Sequence, residues 1–501
     1  VFRQARRAYQ AVFLALFLTL VALTSASLIR SYPVDLFLGF DPLVALTTVL
    51  STRSLYPHLA WALPLIVLTL VFGRFFCGWI CPMGVLHHLI GFATRKKKIP
   101  DRAKANAPRA SQKVKYVILT VMLAMAAMGS VQIGLLDPIA STWRGLSVSV
   151  IPAASNSAFG IYQGERHFQF GTLITLVFFG ALALNFVYPR FYCRVLCPLG
   201  ALLGLLSKAS LFRLSRRGEL CSNCDACAAD CQGAAEPTGV IKVNECMLCL
   251  NCTDACPRGA ITYSFLPGAR ATTDVNLGRR RWIGAGIAGA VAVPLMRASD
   301  GSEPRPSPNR IRPPGARDEP EFLARCIKCD ACMKVCPTGA LQPSLLEAGL
   351  EGLWSPVLVP RIGFCEQGCT LCGSVCPTGA IRRLTLAEKL GAPPQVEPVR
   401  LGSAYFDRGR CLPWANDIDC IVCEEVCPTS PKAIFFKLET VTTRDGSQKT
   451  LKRPHVDLDK CWGCGICETR CPVFDRAAVR VSSVGESRSP VNRIVLTGGK
   501  I

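Results

Sequence analysis

The chain contains no Cys-x-x-Cys-His, so it carries no c-type haem attachment of its own. Flavin-attachment and nucleotide-binding motifs are also missing. The single Gly-x-Gly-x-x-Gly, formed by Gly284, Gly286 and Gly289, follows three arginines rather than a strand. It leads into a proline-rich stretch rather than a βαβ unit, which argues against nicotinamide binding. Acidic residues are scarce, 35 Asp and Glu against 57 Lys and Arg, for a formal net charge of +22. The excess comes with no aromatic-interleaved basic patch, which sets nucleic acid aside. No cysteine is left over either: of 28, four sit in a duplicated motif and the rest fall into six quartets. A disulfide framework does not need such spacing.

Half of the 501 residues are hydrophobic, enough chain for three or four domains. Ala11–Ile29, Trp61 to about Ile90, Tyr116–Leu136 and Gly171–Tyr188 read as four membrane spans. The first lacks a convincing signal-cleavage site and is taken as an anchor. Lys and Arg crowd 95–115 and 208–217, whereas the loops 30–58 and 137–168 carry few. The positive-inside rule therefore puts the N-terminus and the cysteine motifs on the cytoplasmic side. The spans form two parallel repeats. Each runs helix, Asp-Pro loop (GFDPL, LLDPI), helix, then RFFCGWICPMGVL (74–86) or RFYCRVLCPLGAL (190–202).

The expected organisation is a membrane α-helical bundle with two α+β polycluster domains of bacterial-ferredoxin type. Residues 1–211 form the four-span domain and 212–277 a cytoplasmic two-cluster ferredoxin. Residues 278–298 form a twin-arginine-like signal or anchor and fifth span, and 299–321 a linker. Residues 322–480 form a periplasmic four-cluster ferredoxin and 481–501 a tail without an assigned role.

The inner quartets are Cys221, Cys224, Cys227, Cys231 and Cys246, Cys249, Cys252, Cys256. The outer ones are Cys326, Cys329, Cys332, Cys336; Cys365, Cys369, Cys372, Cys376; Cys411, Cys420, Cys423, Cys427; and Cys461, Cys464, Cys467, Cys471. Most read C-x2-C-x2-C-x3-C-P, in which three cysteines wrap one [4Fe–4S] cluster and the fourth reaches its neighbour. An all-cysteine zinc site needs two C-x2-C knuckles instead. Six such sites at about −2 each offset roughly half of the charge excess. Gln232 replaces the usual proline, and the second and third outer runs open with x3 and x8. These insertions are expected to bulge a loop and keep every ligand. The swap rule pairs Cys231 with the second inner run and Cys256 with the first. In the outer domain nested pairing is expected: first run with last, second with third.

Cys77 and Cys81 share one helical face, as do Cys193 and Cys197. Together the four hold a metal centre, cycle as thiols and disulfides, or pack inertly; Arg74 and Arg190 beside them offset thiolate charge. Asp41 and Asp137 are candidate quinol-site proton acceptors, with helix capping as the plainer reading. His87 and His88 read as boundary residues.

The first ~270 residues resemble the NapH and MauN family. The remainder, with its arginine-led segment and four quartets including the x8 spacing, is similar to NapG and MauM. The resemblance implies a natural fusion that serves as an inner-membrane quinol dehydrogenase module. Its partners would be lipid, the quinone pool and periplasmic multihaem cytochromes or reductase subunits. A redox maturation factor, or a relay whose quinone site lies on another subunit, are the competing readings.

Overall fold

Glycine and proline cut the long apolar runs into pieces. Gly73, at φ +86°, ends the helix Ala62–Phe72, and Pro82 opens Pro82–Ala93 just after the first cysteine pair. The computed structural model describes residues 2–25, 34–93, 96, 98–158, 167–265, 278–298, 307–391, 396–443 and 446–492. Among them, two helical stretches have the length and composition to cross a membrane, Phe2–Leu23 and Ile99–Ala127. Pro42–Thr52, Pro57–Phe72, Gly171–Phe186 and Pro198–Ala209 are apolar but shorter. The four uninterrupted spans expected from the apolar runs are not seen. Arg30, Arg95, Lys97 and Arg166, used for orientation above, lie outside the described residues.

These helices form one body. Arg279–Ala298 packs along Val114–Ala127 and anchors its far end through an Arg297–Glu351 ion pair of 2.8 Å. The Gly-x-Gly-x-x-Gly thus lies inside a helix.

Three ferredoxin-type units share one plan, in which a strand before the first cysteine run pairs antiparallel with a segment after the second. In the inner unit Phe212–Arg216 pairs with Ile261–Phe265. In the first outer unit Ala316 bridges Ile381, and Leu341–Pro343 pairs with Pro356–Leu358. In the second outer unit Ser403–Phe406 pairs with Val479–Ser482, and Ile434–Thr442 forms a long hairpin with Gln448–Val456.

The proline- and arginine-rich stretch 299–321 is not a linker from residue 307 onward. Ile311 and Ala316 are buried, and Leu358 N–H donates to Ile311 O at 2.7 Å. The tail at 481–501 likewise folds back as far as 492: Ser483 N–H donates to Pro308 O at 2.8 Å. Residues 299–306 and 493–501 lie outside the described residues. The composition misled because these arginines are structural. Arg312, with no exposed side-chain surface, meets Glu319 at 2.5 Å, and Arg488 meets it at 2.8 Å.

Burial alone would raise the Glu319 carboxyl, but Arg312, Arg310 and Arg488 hold it at about 2. A depressed carboxyl stabilises the fold above its unfolded pKa and loses that contribution as pH falls through the folded one. Roughly 3 kcal/mol of outer-domain stability is therefore expected to vanish between about pH 4.5 and pH 2. Glu319→Gln leaves Arg312 buried without a counter-ion and should cost about 3–5 kcal/mol at neutral pH. Thermal melts of the two proteins across that range measure both effects.

Candidate iron–sulfur and thiol centres

All 28 cysteines are free. Amide-to-sulfur bonds of the kind that settle thiolates recur at the ends of the runs. Ala235 N–H reaches Cys231 Sγ and Ala260 N–H reaches Cys256 Sγ, both at 3.3 Å. Ala404 reaches Cys461 and Ala478 reaches Cys471, both at 3.4 Å. Without a metal, burial pushes the thiols of Cys326 and Cys365 up to about 11 and that of Cys464 up to about 12. A bound iron core offsets that cost of ionisation. No three described His, Cys, Asp or Glu side chains close on one point as tightly as metal ligands do. The fit to [4Fe–4S] therefore rests on ligand spacing, free thiols and the amide–sulfur bonds.

The inner unit shows the swap expected from spacing. Cys256 lies by Cys227, and Cys231 by Cys249 and Cys252. The nested pairing expected for the outer domain is wrong. Cys376 interacts electrostatically with Cys326, Cys329 and Cys332, while Cys336 interacts with Cys365 and Cys372. Cys471 joins Cys411 and Cys423, and Cys427 joins Cys461, Cys464 and Cys467. Each outer unit closes on itself through its own strands, a shorter loop closure than a nested exchange across both. The units then meet where Cys365 N–H donates to Cys464 O at 2.8 Å. The groups therefore follow one another as Cys326/329/332/376, Cys365/369/372/336, Cys461/464/467/427 and Cys411/420/423/471. Both insertions keep their ligands together: Cys369 lies by Cys365 and Cys372, and Cys411 by Cys420 and Cys423. Cys376→Ser should remove about four iron from the group of Cys326, Cys329 and Cys332 and spare its own run, and Cys336→Ser should do the converse. Mössbauer and EPR spectra of the two variants distinguish the exchanges.

The duplicated motif forms a separate centre in the helical body. Cys77, Cys81, Cys193 and Cys197 are close enough for their charges to interact across the two repeats. Cys197 caps the helix Pro198–Leu206, its Sγ accepting from Gly200 N–H at 3.2 Å. Cys81 does the same from Gly84 N–H in the other copy. Arg74 Nη2 stands 4.0 Å from Cys77 Sγ, and Arg190 Nη1 lies 3.4 Å from the Cys77 carbonyl oxygen.

Asp41 and Asp137 sit beside this centre with no exposed surface. Each caps a helix with one oxygen: Asp41 accepts from Leu43 and Val44 at 2.8 and 3.3 Å, and Asp137 from Ile139 and Ala140 at 2.8 and 2.9 Å. The plainer sequence reading holds for both, yet their second oxygens are buried without a hydrogen-bond partner, and the two carboxyls interact electrostatically with each other. Asp137 is also within electrostatic reach of Cys81 and Tyr192.

Both ferredoxin parts dock on this region through backbone. On one side the inner loop lies against the first motif, with Trp79 Nε1 donating to Leu248 O at 2.8 Å and Arg6 to Cys249 O at 3.1 Å. A Cβ on Gly78 would sit 2.4 Å from Met247 O. On the other side Val131 N–H donates to Leu323 O at 3.2 Å and Arg144 to Lys328 O at 2.8 Å. A Cβ on Gly134 would sit 1.6 Å from Ile327 O. Tyr192 closes the interval: its hydroxyl donates to Leu136 O at 2.6 Å, and it precedes Cys193. Buried Arg144 interacts with Cys329, Asp330, Tyr192 and Asp137 together.

Sequence reasoning missed Tyr192 and Arg144, and it gave no sign that His87 is fully buried and stacked on Tyr192 at 5.8 Å. His88 meets Gln232, the residue that stands where the fourth-cysteine proline is usual, at 2.7 Å.

Residues 55–100 and 170–217, which hold the duplicated motif, each match a 4Fe-4S binding domain. Residues 323–342 match another, and 418–474 match a 4Fe-4S dicluster domain. The fold and its cysteine groups thus define an iron–sulfur electron-transfer protein of polycluster ferredoxin type. The chain belongs to the family of the ferredoxin-type proteins MauM and NapG. It is 34% identical to the methylamine utilization ferredoxin-type protein MauM of Methylorubrum extorquens over 192 residues, 37% of this chain and 80% of that one. To NapG of Escherichia coli it is 33% identical over 208 residues, 41% of this chain and 85% of that one. It is also 31% identical to the regulatory protein NosR of Pseudomonas aeruginosa over 244 residues, 46% of this chain but only 29% of NosR. No solved structure matches the chain.

Proposed function

We propose that this chain is a membrane-bound electron-transfer subunit, a fusion of a NapH-like helical part with a NapG-like part. In this reading it oxidises quinol and delivers electrons outward to a periplasmic haem protein or reductase. The observation that carries it is the docking of the inner ferredoxin at Gly78 and of the outer one at Gly134, with the four thiols between. Bound at the six quartets, [4Fe–4S] clusters supply one-electron acceptance and release. The residues do the rest: backbone carbonyls of the cluster loops press onto the helical body, and Arg74, Arg190 and Arg144 offset negative charge along the way.

A seventh metal centre at Cys77, Cys81, Cys193 and Cys197 belongs to the same reading. It is supported by the electrostatic interaction of the four thiols across the repeats and by the 4Fe-4S binding domain matches over both motifs. The outermost group, Cys411/420/423/471, lies among exposed Ile418, Ile421 and Phe474, a surface suited to a redox partner. Topology in this reading puts 212–265 in the cytoplasm and 307–492 in the periplasm.

The test is anaerobic addition of a short-chain quinol to the purified, lipid-embedded chain, followed by EPR. Rapid appearance of reduced-cluster signals is expected. Full cluster content without reduction would sink quinol oxidation by the chain alone and leave the relay and maturation roles.

A further inference from the structure

A cavity of about 820 Å³ opens between the N-terminal helix, the helix Pro82–Ala93, the turn at 185–190 and the inner ferredoxin. Its lining is dominated by hydrogen-bond donors, with Arg3, Arg6, Arg7, Arg102 and Arg190 against the carboxylates Asp101 and Asp230. Asp230 is already engaged by Arg3 at 2.9 Å and Arg102 at 3.2 Å.

Two buried side chains at this cavity have donor capacity that the protein does not use. His87 has no exposed surface, and neither ring nitrogen finds a partner. Asn185 is the polar neighbour beside the ring; its Nδ2 donates to the His87 carbonyl at 3.0 Å, and its Oδ1 accepts from Arg190 N–H at 2.7 Å. Arg190 is 2% exposed, and its Nε and Nη2 are both unpartnered. Its backbone is held at φ +56°, a conformation that costs a non-glycine residue free energy and that the Asn185 bond maintains. Unsatisfied buried donors are expensive, so a cavity that gathers them is built for an acceptor.

The rim has the opposite character. Phe92, Phe186 and Val187 line the opening and are 65%, 75% and 62% exposed. An apolar doorway with donors at its end fits a molecule with a greasy tail and a head of oxygen acceptors. The inner wall adjoins a cluster-holding loop: Gln232 follows Cys231, and Arg6, which lines the cavity, donates to Cys249 O at 3.1 Å.

We infer that this cavity binds the quinone head group, with His87 and Arg190 donating to its oxygens and the isoprenoid tail leaving past Phe92 and Phe186. This rests on the quinol reading and relocates its site from Asp41 and Asp137 to the inner-ferredoxin side of the helical body. Arg190 also braces Met247 Sδ at 3.3 Å, so it is a poor first target. His87→Phe removes the imidazole N–H. Gly91→Trp fills the cavity, since a Cβ there meets nothing within 4 Å.

The experiment uses the full-length, cluster-loaded chain in nanodiscs of neutral lipid, with a photoreactive short-chain quinone as probe and equilibrium binding as readout. The wild type should bind about one quinone and be labelled within 87–92 or 185–190. Both variants should bind at least about tenfold more weakly while keeping iron content and melting temperature. Quinone binding that is unchanged in both variants, or labelling elsewhere, would overturn this site and leave quinol oxidation standing. No binding by the wild type would remove both. If cardiolipin titrated into the same nanodiscs binds the wild type and not Gly91→Trp while quinone binding persists in that variant, the cavity is a lipid head-group site and the inference falls.

Discussion

With Cys81 and Cys197 both changed to Ser, the inner clusters should still be reduced and the outer ones should not. Electron passage between them is expected to slow by at least about 100-fold, beyond what loss of a residue supporting a metal site costs. The expectation follows from position. The two thiols cap helices at the junction of the repeats, within electrostatic reach of Cys77 and Cys193. Tyr192, beside Cys193, touches Leu136, and Gly134 carries the outer loop. Three residues of chain, at most about 11 Å, separate Gly134 from Asp137, which itself interacts with Cys81. Stopped-flow spectra with EPR on frozen samples separate the two cluster sets. Six intact quartets with wild-type reduction of the outer set would make these cysteines packing residues.

A change of one methyl group should have a second large effect. Gly134 has an ordinary backbone conformation, so Gly134→Ala is not strained locally; its Cβ would overlap Ile327 O. The neighbour is backbone and cannot swing aside, and relief requires the outer domain to move away. Overpacking of this kind costs about 1–3 kcal/mol. Through the smaller docked population it should also slow outer-cluster reduction by about fivefold or more, since 1.4 kcal/mol corresponds to tenfold. Hydrogen exchange at Leu323–Lys328 should rise in the variant, while iron content stays at the wild-type value. Unchanged exchange and unchanged rates would mean that this contact does not hold the outer domain in place.

The cysteine groups were legible because ligand spacing is a local property of the chain. Their exchange was legible in the inner unit, where only one partner run exists. It failed in the outer domain, where the choice between neighbouring and nested runs is made by strands as short as the Ala316–Ile381 bridge. Docking left almost no trace in the sequence, because its contacts use the carbonyls of Met247 and Ile327, which any residue supplies. Gly78 and Gly134 were its only signals. Capping, the plainer of the two readings of the Asp-Pro pairs, is what the structure shows, but the approach of the two acids depends on the packing of two repeats. The burial of His87 against Tyr192 and Asn185 left no sequence signal because it is a tertiary fact. The stretch from 307 looked like a linker because composition does not show that Arg312 and Arg488 converge on Glu319.

The most direct measurement of a continuous path through the thiol centre uses proteoliposomes with the chain in one orientation and residues 212–265 facing outward. A membrane-impermeant reductant is added outside, and the EPR signals of the outer-domain clusters are followed inside. Reduction of the enclosed clusters, lost in the Cys81→Ser, Cys197→Ser protein, is the expected result. Reduction confined to the inner domain, with the enclosed set oxidised in the wild type, would contradict the path.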